Sequence, residues 1–400
     1  MISGYGTIVI AILVLYMGKL LNKRIEFLRK YNIPEPVTGG ILASLISAVI
    51  YFVFDFELQY TLDARDGLLI AFFTTIGLSA KFETLKKGGA SLLILMVVAV
   101  GYLFLQNIVG IASVSVSGLS NAVGVLGGSV SLSGGHGTVI AWAPKFMEQH
   151  GISNALEIGL ACSTFGLVLG GIAGGPVAAQ LIKRYNLKPV VKEERTVGEG
   201  HEEIMTVSYD NMMMAILAIS FSMGLGILIG EGLEQVNASL PPFVCALFGG
   251  IIYTNVAPII GSKVDEKLNY RVDNPSTALI SDVSLGLFLA MSLMSLQLWT
   301  LIDLAMPILF LLVAQLIVIV LYVVFVVFRV MGKDYDAAVI AGGYLGLGLG
   351  ATPTAIANMT AITKRFGGSA KAFLIVPLVG AFFIDISNAL VIQFFLDLLQ

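Results

Sequence analysis

Residues Gly127 to Thr138 read GGSVSLSGGHGT, with five glycines, three serines and a histidine between long apolar runs. In water, a stretch so rich in Gly and Ser is a flexible linker. Its apolar flanks argue for a different setting. Non-helical backbone is tolerated at membrane depth only where protein or a water-filled cavity satisfies its amides and carbonyls. Glycine allows tight turns and positive φ there, and it leaves N–H groups bare to face a ligand. The fold therefore turns on whether the surrounding chain lies in a membrane.

Composition says that it does. Of the 400 residues, 57% are hydrophobic and only 12% charged, against about a quarter charged in soluble proteins. Such a chain cannot cover a water-facing surface, so an all-α polytopic membrane protein is expected. The first apolar run has its basic residues after it (Lys19, Lys23, Arg24) rather than before it. It reads as a retained helix, not a cleaved signal. Cys162 and Cys245 both lie in apolar runs and suggest no disulfide framework.

Runs of about twenty apolar residues read as transmembrane helices. Ten are expected: Gly4–Leu21, Val37–Phe54, Leu68–Ala80, Ser91–Val114, Leu156–Leu181, Met212–Ile229, Phe243–Ile260, Ala278–Leu298, Met306–Phe328 and Phe373–Leu396. The third is short. Two further stretches, about 117–142 and 337–361, are apolar but crowded with Gly, Ser, Thr and Pro. Cytoplasmic loops retain Lys and Arg. With both termini periplasmic and neither odd stretch crossing, only Arg65 and Lys145 of the 23 basic residues fall outside. A full crossing by either stretch would destroy that separation, so both are expected to be re-entrant hairpins.

The polar segment 187–210 divides the chain into an N-terminal repeat, 1–186, and a C-terminal repeat, 211–400, of five spans each. An odd number of spans inverts the second relative to the first. The halves also share sequence. Ala122, Gly127, Gly128, Leu132 and Gly135 recur at the same spacing as Ala337, Gly342, Gly343, Leu347 and Gly350. Phe72, Ser79, Thr84 and Leu85 recur as Phe288, Ser295, Thr300 and Leu301. Ile33-Pro34 and Gly39-Gly40 are echoed by Leu240-Pro241 and Gly249-Gly250. Inverted repeats with broken elements near the midplane are the pattern of secondary transporters.

The first hairpin offers glycine amides and the hydroxyls of Ser129, Ser131, Ser133 and Thr138 to a carboxylate, and freed carbonyls to Na⁺. The competing explanation is close helix packing through small residues. His136 is a candidate ligand or proton carrier as an intramembrane ionisable group, or a neutral imidazole bonded to its hairpin. The second hairpin, GGYLGLGLGATPTAIANMT from Gly342 to Thr360, supplies oxygens from Thr352, Thr354 and Asn358. Pro353 breaks any continuing helix and suits the first turn of a new one. A kinked helix is the alternative. Among acids, Asp385 lies near the middle of the last span with Asn388 on the same face. Asp282 lies a turn or two into the eighth, and Glu157 lies close to the outer end of the fifth, at its start, as an interfacial residue would. A mid-bilayer carboxylate needs a partner. No Lys or Arg lies at that depth, leaving Na⁺ or an ammonium group.

These motifs carry a resemblance. SLSGGHGT (131–138), GLGLGATPTAIANMTA (346–361), IPEPVTGGIL (33–42) and DVSLGLFLAMSLMSLQLW (282–299) resemble the bacterial sodium/glutamate symporter family over nearly the whole chain. That family is similar in fold to the 2-hydroxycarboxylate carriers. The resemblance implies ten spans, two oppositely entering hairpins, periplasmic termini, an inner-membrane homodimer and elevator-type movement. It also implies import of L-glutamate with Na⁺ as the co-transported ion and no cofactor. Substrate contacts are then expected from Ser131, Ser133, Gly134, Gly135, His136, Gly137, Thr138, Thr352, Pro353, Thr354 and Asn358. Sodium contacts are expected from Asp385, Asn388, Asp282 and Gly350.

Two alternatives remain in the sequence: a carrier of another small carboxylate, and an intramembrane protease using Asp385 or Ser133. An aspartyl dyad needs a second carboxylate in the same site, and a serine nucleophile needs a positioned base; no nucleic-acid function is indicated. Cysteines introduced between Lys188 and Glu203 are expected to react only with reagent supplied from the cytoplasmic side. Labelling from the periplasm would reverse the topology.

Overall fold

A computed structural model describes residues 2–30, 33–189, 208–235, 240–264, 275–297, 299–300 and 304–399. Most of the expected central linker, at 190–207, lies outside them, as do Leu298 and Leu301. The chain is helical throughout, in the order α1 (Gly4–Arg24), α2 (Glu26–Lys30), α3 (Glu35–Phe54), α4 (Asp63–Ser79), α5 (Phe82–Ser115), α6 (Asn121–Val125), α7 (Gly135–His150) and α8 (Ala155–Arg184). There follow α9 (Tyr209–Glu234), α10 (Pro242–Val264), α11 (Pro275–Met294), α12 (Ala305–Tyr322), α13 (Phe328–Val330), α14 (Tyr335–Leu349), α15 (Thr352–Phe366), α16 (Ala370–Leu378) and α17 (Ile384–Leu398). No strand occurs among the described residues beyond one isolated bridge, Ile2 to Tyr60.

Each of the ten expected spans overlaps helix, the third ending at Ser79 and the eighth at Met294, short of the expected Ala80 and Leu298. Seven helices among the described residues are long and apolar enough to cross a membrane: α1, α3, Gly89–Ser115 of α5, α8, α9, α11 and Ala305–Val330. The short third span is the 17-residue α4. The last is interrupted: Pro377 stands inside α16, and a π-helical turn over Val379–Phe383 precedes α17. Proline removes one i→i−4 hydrogen bond, and a π-turn widens the helix by a residue, commonly at functional positions.

The helices group into two compact units, each drawing on both halves of the sequence. One comprises Met1–Leu13, Gln59–Lys87 and Val197–Ser292. Within it α4 and α10 meet backbone to backbone: a Cβ on Gly77 would lie 2.1 Å from the Leu247 carbonyl oxygen. Small residues allow this approach where lipid provides no hydrophobic force between helices. Polar and aromatic contacts join α4 to α11. Thr75 Oγ1 donates to Ser281 Oγ at 2.8 Å, and the Phe72 and Phe288 ring centroids lie 5.5 Å apart. Phe72 and Phe288 are counterparts in the internal repeat.

The other unit comprises Val14–Leu58, Gly88–Thr196 and Leu293–Gln400, and it contains both glycine-rich stretches. Its centre is α14, where every residue from Ala337 to Leu349 is buried. A helix apolar on all sides is stable only when enclosed; α8, α12, α15 and α16 enclose this one. Asp334 starts it by accepting from Ala337 N at 2.7 Å, as side-chain caps do for orphan N-terminal amides.

The Gly77 contact generates a stability test. Gly77→Ala is expected to cost about 1–3 kcal/mol, the range for overpacking, and to lower the melting temperature. Gly67→Ala, where an added Cβ meets nothing within 4 Å, should not. Equal melting of the two variants would refute the close α4–α10 crossing.

Candidate functional site

Both glycine-rich stretches are broken helices. In the first, α6 runs into a π-turn over Leu126–Val130, where Gly128 leaves helical geometry (φ −91°, ψ −121°). After Ser131–Gly134, α7 begins at Gly135, whose φ of +73° favours glycine. In the second, α14 stops at Gly350 (φ −148°, ψ −98°) and Ala351 is extended. Then α15 starts with Thr352-Pro353, and proline fits the first turn because it lacks the amide that would go unpaired. Gly342 faces Ile362, Gly343 faces Met359 and Gly346 faces Ala355. That ladder makes α14 and α15 an antiparallel hairpin.

The two breaks touch. A Cβ on Gly135 would lie 3.5 Å from the Gly350 carbonyl oxygen, and Ser133 Oγ donates to the Gly348 carbonyl at 3.3 Å. These pairs are again repeat counterparts. The contact brings the N-terminus of α7 and that of α15 to one place. The Gly134 and Gly135 amides are already bonded, to the Ser129 and Ser131 carbonyls at 2.9 and 3.1 Å, so what remains at α7 is the rest of its first turn. Each helix start also carries the positive end of a dipole, and two such ends together favour an anion.

Side chains from neighbouring helices satisfy the freed backbone. Gln106 Nε2 on α5 donates to the Gly348 carbonyl at 2.9 Å, and its Oε1 accepts from Ser133 Oγ at 2.6 Å. Gln315 Nε2 on α12 donates to the Gln106 carbonyl at 2.7 Å. Asn107 Oδ1 accepts from Ser129 N at 2.9 Å, and Asn388 Nδ2 donates to the Ser129 carbonyl at 2.8 Å. Ser163 Oγ on α8 donates to the Ser131 carbonyl at 2.8 Å. All of these side chains are buried. Several of their remaining polar atoms have no protein partner: Ser129 Oγ, Gln315 Oε1, Thr354 Oγ1, Asn388 Oδ1 and Asn107 Nδ2. Orphan polar atoms buried in a cluster are costly and mark where a ligand can bind.

The other expected residues fall into distinct positions. Ser131, Ser133, His136, Thr138, Gly350, Thr354 and Asn358 are buried; Gly134, Gly135, Gly137, Thr352 and Asp385 are half-buried; Pro353 is exposed. Thr352 abuts the last helix, where a Cβ on Gly380 would lie 2.5 Å from its hydroxyl. Thr138 Oγ1 bonds the Gly134 carbonyl, and Asn358 Nδ2 bonds the carbonyls of Gly170 and Gly342. These two side chains therefore hold backbone. The His136 ring nitrogen Nε2 pairs with Thr164 Oγ1 at 3.0 Å, and Ser133 with Gln106 and Gly348. Neither a Ser–His pair nor a carboxylate dyad forms there. Asp282 belongs to the other unit and is exposed.

Gln106, Asn107, Ser163, Thr164 and Gln315 were not singled out by the sequence reading. The adjacent amides Gln106-Asn107 inside an apolar run were the available signal, because an uncharged polar pair in a span needs partners.

Apolar helices that enclose two broken limbs meeting head to head define a membrane-embedded carrier. Comparison with known proteins makes the class specific. A family model for the sodium/glutamate symporter matches residues 1–368. The sodium/glutamate symporter of Escherichia coli (strain K12) is 46% identical over 98% of this chain and 97% of its own length. That of Haemophilus influenzae is 41% identical over 98% and 96%. The chain belongs to the sodium/glutamate symporter family.

The network predicts an asymmetry of tolerance along α5. Gln106→Leu removes the donor at 2.9 Å from the Gly348 carbonyl and the acceptor at 2.6 Å from the Ser133 hydroxyl, leaving the two only their longer 3.3 Å contact, at a cost of about 1–3 kcal/mol. Its melting temperature should fall well below that of Ser115→Ala, which removes a hydroxyl bonded at an exposed position. Matching melting curves would exclude Gln106 as the tie between the breaks.

Proposed function

We propose that this protein imports L-glutamate by coupling it to Na⁺ entry, and that the two helix breaks form the binding point. The observation that carries this reading is the convergence of two helix N-termini beside buried oxygens that lack protein partners. The N-termini suit a carboxylate. The unpartnered oxygens of Ser129, Asn388, Gln315 and Thr354 suit a hard cation. Family membership supplies the identities of both solutes, and it places the chain among transporters rather than enzymes.

In this proposal the amides of His136 and Gly137 and the first turn of α15 hold carboxylate, because the Gly134 and Gly135 amides already donate to the Ser129 and Ser131 carbonyls. Asp385 stands one helical turn before Asn388 and serves Na⁺ or the substrate ammonium. Asn388 joins the two ligands physically: its amide nitrogen holds the first break through Ser129 while its oxygen faces the cation. Na⁺ bound there would stiffen the backbone that binds glutamate. Such coupling needs each ligand to favour the same state, and coupling energies of about 1–3 kcal/mol are typical.

The wider architecture proposed is ten spans in two inverted five-helix repeats, each with a re-entrant hairpin, and both termini periplasmic in a bacterial inner membrane. Repeat counterparts that touch each other, Phe72 with Phe288, Ser133 with Gly348 and Gly135 with Gly350, favour it. Residues on a pseudo-two-fold axis meet their own copies. A homodimer with elevator-type movement of the hairpin-bearing unit follows from the family resemblance.

Purified protein in proteoliposomes should accumulate labelled glutamate when an inward Na⁺ gradient is imposed, and not when K⁺ replaces Na⁺. Gradient-independent uptake, or none, would overturn the proposal. If Na⁺ is the partner of Asp385, Asp385→Asn should raise the half-saturating Na⁺ concentration about tenfold, equivalent to about 1.4 kcal/mol. Glutamate affinity at saturating Na⁺ should change little. Loss of glutamate affinity at every Na⁺ concentration would assign Asp385 to the ammonium instead.

A further inference from the structure

The C-terminal turns of α8 and α15 line an open groove of about 830 Å³, within the roughly 300–1,000 Å³ range of ligand clefts. One part of its wall is apolar, formed by Pro176, Ala179, Ile362 and Phe366. The other is cationic, formed by Lys183, Arg184 and Arg365. We propose that this groove binds an anionic phospholipid, with the headgroup at the three cations and an acyl chain along the apolar wall.

Charge complementarity selects the headgroup. Arg65–Asp66 is the one ion pair found among the described residues, so no carboxylate there neutralises Lys183, Arg184 or Arg365. The Arg365 guanidinium lies 5.3 Å from the Phe366 ring centroid, at the junction of the two walls. Basic residues at helix C-termini also complement the helix dipole and follow the retention rule for cytoplasmic ends. Neither effect requires a cleft between the helices, nor an apolar wall continuous with the cations. A free phosphate would use the cations alone. A phospholipid uses both surfaces, and basic pockets between membrane helices are suited to anionic headgroups.

The groove has room in the correct place. A Cβ on Gly175, which lines it, meets nothing within 4 Å. The neighbouring Gly174 packs against α15, because a Cβ there would strike Asn358 Nδ2 at 2.1 Å. Asn358 is the side chain that ties α8 to α14. A lipid in the groove would therefore rest against the outer face of the second hairpin.

The test uses the purified full-length protein, stripped of lipid in detergent. Phosphatidylglycerol, phosphatidylcholine and inorganic phosphate are added separately, and lipid retention (by native mass spectrometry) and melting temperature are read. Phosphatidylglycerol should be retained and should raise the melting temperature; phosphatidylcholine should do neither. The double variant Lys183→Gln/Arg365→Gln should weaken phosphatidylglycerol retention by roughly tenfold or more. Gly175→Leu, which fills the apolar part without touching a cation, should weaken it too. Both variants should melt like the parent protein in the absence of lipid. Equal retention of phosphatidylcholine, or unchanged retention in both variants, would overturn the proposal. A melting shift reproduced by inorganic phosphate would replace the lipid with a free anion and overturn it as well.

Discussion

Everything in the hairpin-bearing unit follows from one constraint: backbone broken inside a buried, apolar region must find hydrogen-bond partners there. An unmade bond to a buried carbonyl or amide costs several times the net gain from an ordinary one. The chain answers with amide side chains on the helices that pack against the breaks. Gln106 spans both breaks, Asn107 and Asn388 hold the two sides of Ser129, and Gln315 holds the backbone of Gln106 itself. A carboxamide suits this role because it donates and accepts at once and carries no charge that burial would penalise. The helices bearing these amides could not be replaced by apolar ones of the same shape without releasing the breaks.

The same constraint links the site to its packing. Each glycine at a contact lets one backbone approach another, so hydrogen bonds reach across helices without long side chains. At Gly128 an added Cβ would lie 2.8 Å from Asn107 Oδ1, the atom that accepts from Ser129 N. Glycine there is what allows the amide to reach the break. Hydrogen bonding and close packing are one arrangement at this glycine in the folded chain.

Much of this was legible in the residues. The ten apolar segments lie largely on helix, and both stretches crowded with glycine are broken, at Gly128 to Gly135 and at Gly350-Ala351. Thr354, Ser133 and Asn388 lie at or beside the breaks. Less legible was the division of labour. Thr138 and Asn358 have the residue types of ligands, yet their side chains bond backbone carbonyls, a choice that depends on which helix packs beside them. Gln106 and Gln315 were hidden because one amide in an apolar run looks the same whether it meets lipid, water or a carbonyl far along the chain. Asp282 has the composition of an ion site but sits exposed in the other unit. The interleaving of both halves in each unit is likewise set by distant contacts that no local pattern encodes.

In the inverted-repeat arrangement proposed above, counterparts that touch at the breaks bear on how a two-fold framework would hold the proposed unsymmetrical guest. A cavity built on identical copies would offer the same surface twice, whereas an amino acid presents chemically different ends. Where a residue faces its own copy, the two can complement each other only by differing. Ser133 donates, and its counterpart Gly348 has no side chain and accepts through its carbonyl. His136 is matched by Ala351, and Gly137 and Thr138 by Thr352 and Pro353. The departures from internal symmetry at these few positions are therefore where handedness and polarity enter an otherwise duplicated scaffold.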